Sequence, residues 1–283
     1  MSAWLTSGFS IGVASSIAGA LILYILQSAI GRLRLQPVRS FWAGFERAAV
    51  IMTSEYTIES QEVGPWHSTD ADGIEFEDED QLIAVRSTSG YFLSYGMSVA
   101  LGNLVAFFRR DLGSSVQVMG DKGHSRPRDG KSLVVLGSPI NNRYLQRFFH
   151  EMRASYPLLP QFSWRLSDRG VSLTLPDGET LTPTVNEEED GIDYALVACV
   201  NLDQGKSTRL VIIAGCNMWG TEAATNFLLD AQLVRLLPAA VRRRRGGSAF
   251  VLKAWISHGL ADHVELQRNR DGSVAYDLSR ARS

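Results

Sequence analysis

The sequence predicts an α/β protein: a mostly parallel sheet with added β-hairpins, preceded by a single N-terminal transmembrane helix. Short apolar runs alternate with stretches of helical periodicity, the pattern of strands joined by helical crossovers. Two further segments alternate polar and apolar residues around Pro176-Asp177-Gly178 and Asn269-Arg270-Asp271-Gly272, the chemistry of hairpin turns. Residues 1–31 contain no charged side chain, and Arg32, Arg34 and Arg39 follow at once.

The apolar stretch 4–30 is ~27 residues, about 40 Å long as a helix, whereas a bilayer core needs only ~20 such residues. A cleaved leader would carry a positive start and a shorter apolar core. The arginines flank its C-terminal side, so the expectation is a single-pass protein of the inner (cytoplasmic) membrane with its soluble domain in the cytoplasm. Tyr24 and Trp42 are the expected interface residues. Gly8, Gly12, Ser16 and Ala20 recur every fourth residue and place small side chains on one helical face. Such a stripe lets membrane helices approach closely, so a homo-oligomer formed through the anchor is expected. The resulting division is an anchor over 1–31, a juxtamembrane linker over 32–47 and a cytosolic α/β domain over 48–283.

Composition narrows the partners. Charged residues are 20% and the formal net charge is -2, which gives no general attraction for nucleic acid or anionic lipid. Cys199 and Cys216 both lie in apolar runs and read as buried thiols, not as a disulfide framework.

In chain order, 48–53 reads as a strand and 54–90 as a polar, acidic, irregular stretch. Met97, Leu101, Leu104, Val105 and Phe108 recur at helical spacing over 94–112, with Gly113 as the stop. A strand over 116–119, a polar loop over 120–131, a strand over 133–136 and a helix over 142–153 follow. The hairpin of 171–175 and 179–184 precedes strands over 194–200 and 210–214. A helix over 221–237 closes at Pro238, a strand spans 250–256, and a second hairpin joins 264–268 to 274–278.

One pattern occurs twice. An apolar strand runs into Gly137-Ser138-Pro139-Ile140-Asn141-Asn142 and then a helix; another runs into Gly215-Cys216-Asn217-Met218-Trp219-Gly220-Thr221-Glu222 and then a helix. Glycine tolerates backbone geometries and close approaches that a Cβ would block. Helix N-termini offer free N–H groups and partial positive charge, and ligands of open α/β sheets sit beyond the carboxyl ends of strands. The expected ligand residues are therefore Gly137, Ser138, Asn141, Asn142, Gly215, Asn217, Gly220, Thr221 and Glu222.

This pair of turns resembles the LOG-type phosphoribohydrolases and the wider SLOG ligand-sensing superfamily. Gly137-Ser138-Pro139 is similar to their Gly-Ser-Ser-like turn, and Ala214-Gly215 with Gly220-Thr221 echoes their Pro-Gly-Gly-x-Gly-Thr-x-x-Glu. The resemblance covers about twenty residues. It implies a Rossmann-like sheet and a nucleotide-like small-molecule ligand. Two departures stand out: Cys216 to Trp219 lengthen the turn, and the family's catalytic Glu position is Ala224, with Glu222 out of register by two. Binding is thereby implied more than N-glycosidic hydrolysis. Fusions of such sensors to membrane segments in bacterial antiphage defence resemble this arrangement at the level of fold alone.

Other constellations are weaker. The stretch 68–79 only partly fits a calcium loop and reads as a solvated acidic loop. Arg242 to Arg245 read as an exposed helix end, or as a hold for a polyphosphate or anionic headgroups, and Arg126, Arg128 and Lys131 before the first glycine turn as candidate phosphate contacts. His258 and His263 lack the spacing and the Cys partners of a zinc site, so no metal is expected, and no cofactor. Neither a Walker A motif, a Gly-x-Gly-x-x-Gly fingerprint nor a Gly-x-Ser-x-Gly elbow is present. The leading expectation is a membrane-anchored sensor of a nucleotide-like ligand. The alternatives are a membrane-tethered nucleotide or N-glycoside hydrolase using Glu222 or Asp193 as acid/base, and a scaffold without a small ligand.

Overall fold

The computed structural model describes residues 33–53, 56–59, 86–92, 95–120, 131–140, 142–167, 170–186, 189–202, 208–242 and 247–278. Its elements, in chain order, are α1 (Gln36–Phe41), β1 (Ala48–Thr53), β2 (Tyr56–Glu59), β3 (Arg86–Phe92), α2 (Tyr95–Arg110), β4 (Ser115–Gly120), β5 (Ser132–Leu136) and α3 (Arg143–Glu151). There follow β6 (Ser163–Ser167), β7 (Gly170–Thr174), β8 (Thr180–Leu181), β9 (Gly191–Asn201), β10 (Arg209–Gly215), α4 (Met218–Leu229), α5 (Ala231–Leu236), α6 (Ala239–Arg242), β11 (Ser248–Ser257), β12 (Leu260–Leu266) and β13 (Tyr276–Asp277).

The main sheet is eight-stranded, in the order β12-β11-β9-β10-β5-β1-β4 with β13 beside β11. Strands β4, β1, β5 and β10 pair in parallel, whereas β9 is antiparallel to both β10 and β11, and β11 to β12 and β13. The α/β class is as expected and the sheet is mixed; along its path only β9 and β12 run against the others. Only seven residues, 202–208, separate β9 from β10, and that explains the first reversal, because a parallel crossover needs about a dozen residues or more. Strands β6, β7 and β8 form a separate small antiparallel sheet.

Side chains alternate across the central strands and split the core into two layers. On one face Ile51, Val134, Leu136, Val211 and Ile213 meet α1, α2 and α4 through Phe41, Trp42, Leu104, Phe108, Ala224 and Phe227. On the other, Val50, Met52, Leu133, Val135, Leu210 and Ile212 meet Leu145, Phe148 and Phe149 of α3 and the small sheet through Leu173. Strand β5 is buried throughout, which is why it reads as an unbroken apolar run.

Several expectations change. Residues 36–45, expected within a linker, comprise α1 and the residues that follow it, and supply Val38, Phe41, Trp42 and Phe45, all fully buried. Trp42, expected at a membrane interface, has its ring 5.1 Å from that of Phe108 and donates its Nε1–H to Leu228 O at 3.1 Å. The buried Arg209 guanidinium donates to Phe41 O and lies over the Phe41 ring at 5.0 Å, and Ser132 Oγ donates to Gly44 O at 2.7 Å. Arg209 opens β10 and Ser132 opens β5, so α1 is clasped to the amino edge of the sheet.

The single-pass inner-membrane localisation is corrected as well. No helix among the described residues is long and apolar enough to cross a membrane. The segment on which it rested, with the stripe Gly8, Gly12, Ser16 and Ala20, lies outside the described residues.

The helix expected over 221–237 is two helices. Asp230 interrupts it and caps α5, its Oδ1 accepting from Gln232 N at 2.6 Å and Leu233 N at 3.1 Å. The second expected hairpin is also redrawn: β11 turns directly into β12 through His258 and Gly259, at φ 51° and 72°, the left-handed pair that a two-residue hairpin turn favours. Strand β13 pairs with β11 instead of β12. Strands β2 and β3 pair with each other inside the stretch expected to be irregular.

Candidate functional site

Strands β5 and β10 are neighbours and parallel, and their chains leave in opposite directions. Strand β5 continues into α3 on one face of the sheet, and β10 continues into α4 on the other. Such a reversal leaves a crevice outside the carboxyl ends of the two strands. Gly137 ends β5 at φ 104°, a conformation that a side chain would strain, and donates its N–H to Ile213 O at 2.9 Å. The first glycine turn is thus tied by one hydrogen bond to β10, two residues before the second turn begins at Gly215.

The turn residues mostly satisfy one another. Asn142 is fully buried and caps α3: its Oδ1 accepts from Leu145 N at 3.1 Å and its Nδ2 donates to Leu136 O at 3.2 Å. Ser138 is buried beside Gly137. Thr221 Oγ1 accepts from Gly215 N at 3.1 Å, closing the second turn on itself. Asn217 opens α4 in an extended conformation, with no hydrogen bond from its side chain to the helix. Asn217, Met218 and Trp219 are half-buried and form the open rim, together with Pro139 and Ile140. Asn141 lies outside the described residues.

The start of α4 already holds an anion of the protein's own. Asp193 near the beginning of β9 is fully buried, because Ala195 pairs with Gly215 and carries Asp193 just past the end of β10. Its Oδ2 accepts from Gly220 N at 2.6 Å, and its Oδ1 from Asn217 N at 3.2 Å and Tyr194 N at 2.8 Å. Gly220 must be glycine here, since a Cβ would come within 2.5 Å of Tyr194 O and 3.0 Å of Asp193 Oδ2. The residues around this first turn include Ala223, Ala254 and Ile256, with Val185, Trp219 and Val264 packed against them. Burial in that apolar setting pushes the Asp193 carboxyl up to about 6, against the pull of its three backbone donors. Cys216, also buried, is pushed well above its ordinary value by the same desolvation and by Asp193. As an acid/base acting on substrate, Asp193 is ruled out: it has no exposed surface, and both oxygens are engaged.

Glu222 is different. It is 8% exposed, and its buried Oε2 has no hydrogen-bond partner among the described residues. Desolvation raises its pKa. Met218, Glu222 and Asn226 follow one another at four-residue spacing along one stripe of α4. The two outer members touch α2: a Cβ on Gly96 would lie 2.5 Å from Met218 O, and Asn103 Nδ2 donates to Asn226 Oδ1 at 2.9 Å. Glu222 therefore stands on the seam between two parallel helices. Long helical side chains lie back over the preceding turn, which aims this carboxyl toward the carboxyl edge of the sheet.

The cations expected to assist are elsewhere. Lys131 precedes β5 at its amino end, about 20 Å from Gly137 at ~3.3 Å per residue. Arg242 donates its Nε–H to Leu237 O at 3.0 Å, ahead of the amino end of β11. Arg126, Arg128 and Arg243 to Arg245 lie outside the described residues. Among the described residues, no group of three His, Cys, Asp or Glu side chains could hold a metal ion.

No family model matches the chain, and neither a curated protein nor a solved structure matches it.

Proposed function

We propose that the carboxyl edge of β5 and β10 binds a small nucleoside-like ligand. The observation that carries this reading is the pairing of two glycine turns, joined through Gly137 N–H and Ile213 O, at strands whose following helices leave on opposite faces. The electrostatics refine the ligand class. A phosphate favours a helix N-terminus with unclaimed N–H groups, and at α4 two of those groups already serve the Asp193 carboxyl. The described rim is neutral, and a base with its sugar suits it better than a polyphosphate does. The resemblance of the two turns to nucleotide-binding sensors points the same way.

The test is native mass spectrometry of the full chain against nucleosides, their monophosphates and triphosphates, with each ligand's mass followed over time. A bound, unaltered nucleoside supports the reading, and binding confined to triphosphates contradicts it. The buried, unpaired carboxyl of Glu222 favours a second reading, a nucleoside hydrolase in which that group is the general acid. Conversion of the nucleoside to free base and sugar, lost in Glu222→Gln, is its signature.

A further inference from the structure

A buried carboxyl without a partner is costly to maintain, since it forfeits hydration and gains no hydrogen bond in return. Three polar side chains around the two turns have internal roles: Asn142 and Asp193 cap helices, and Thr221 closes a turn. Glu222 has none, and it is on a face of α4 that is covered by α2. It follows the glycine turn directly, and a long side chain on a helix lies back over the preceding turn, here that of Met218 and Trp219.

A carboxylate is planar, carries two acceptor oxygens and donates nothing. It pairs best with two N–H donors held side by side in one plane. Among the common bases, guanine alone offers that arrangement, its ring N1–H adjacent to its exocyclic amine. Adenine and cytosine set an amine beside a ring acceptor, and uracil flanks its single N–H with two carbonyl oxygens that a carboxylate repels. The Asp193 carboxyl under the first turn of α4 adds negative charge behind the same rim, which further favours a donor-rich, uncharged ligand.

We propose that Glu222 is the base-reading residue of this site, accepting the paired N–H donors of a guanine nucleoside. The inference rests on the nucleoside-like reading above and specifies its base. A site built to accept two donors rejects an analogue that lacks one, because an oxygen is then left buried and unpaired.

The experiment compares guanosine, inosine, adenosine and cytidine by calorimetry on the full chain, wild type and Glu222→Gln. Inosine keeps the ring N–H and lacks the amine. Wild type is expected to bind guanosine about ten- to a hundredfold more tightly than inosine, the range of one hydrogen bond to a charged group. The variant is expected to bind the two about equally and to melt at the same or a higher temperature, since its amide relieves a buried carboxyl. Equal affinity of wild type for guanosine and inosine overturns the assignment, as does a variant that keeps the preference. In both cases nucleoside binding survives and only the base assignment falls. No binding of any nucleoside removes the site reading itself. Should the variant lose its cooperative melt, the wild-type guanosine-to-inosine ratio decides: tenfold or more sustains the proposal, and parity ends it.

Discussion

Replacing Asp193 with Asn tests the electrostatic account of the α4 turn, because two opposing effects meet in one side chain. The wild-type carboxyl accepts from Gly220, Asn217 and Tyr194 N–H groups, and the variant's amide nitrogen can accept from none of them. Leaving one buried N–H unpaired costs about 1–3 kcal/mol. Against that stands the burial of charge. The carboxyl is held at about 6 in the folded chain, against an ordinary value of 3.8. The folded state therefore binds this proton more tightly than the unfolded state. Its contribution to stability is fully present below pH ~4 and is lost as pH rises through about 6, a loss of about 2–3 kcal/mol by pH 7. The variant has no such loss. It should be the less stable protein at pH 4 and draw level with, or pass, wild type by pH 7. Urea unfolding of both proteins at pH 4, 5, 6 and 7 measures the gap, and every other titrating group is common to the pair. A gap that is constant with pH would refute the reasoning. So would a gap that widens in favour of wild type as pH rises, which would mean that three backbone donors and the helix end outweigh desolvation.

Three further perturbations follow, two of them in the same turn. Gly220→Ala should destabilise by about 2–4 kcal/mol, because its Cβ would meet Tyr194 O and Asp193 Oδ2. Gly102→Ala, at an exposed position within α2 with no atom within 4 Å of the new Cβ, should stabilise by about 0.5–1 kcal/mol in the same urea assay. Thr221→Val keeps the shape and removes the acceptor of the Gly215 N–H, so it should cost about 1–3 kcal/mol and weaken nucleoside binding measured by calorimetry. An unchanged melt would show that the turn does not depend on that bond.

The parts of the fold that were legible in the chain are those set by local pattern. The run at β5 ends in a glycine, and helical spacing from Met97 to Phe108 marks α2, so both could be read directly. Strand direction was harder. The short span between Asn201 and Arg209 excludes a crossover, yet apolar strands buried on both faces look alike whichever way they run. Residues 36–45 misled for a different reason: Phe41, Trp42 and Phe45 sit among arginines after an apolar stretch, and only a partner distant in sequence, Arg209, reveals them as core. The site was legible as two turns but not as chemistry. That Asp193 supplies the cap of α4 depends on the register of β9 against β10, a pairing that no spacing within either segment encodes.

The clasp of α1 has a mechanical consequence. Phe41, Trp42 and Gly44 are fastened where β5 and β10 begin, and the glycine turns lie where the same strands end. A load applied ahead of residue 36 is therefore borne first by the Arg209 and Trp42 contacts, a strand's length from the α4 turn. A biosensor surface that captures the chain by its amino-terminal side should hold the domain by this pole and leave the opposite one, with both turns, facing the solution. Measured ligand affinity on such a surface should equal that of the free protein.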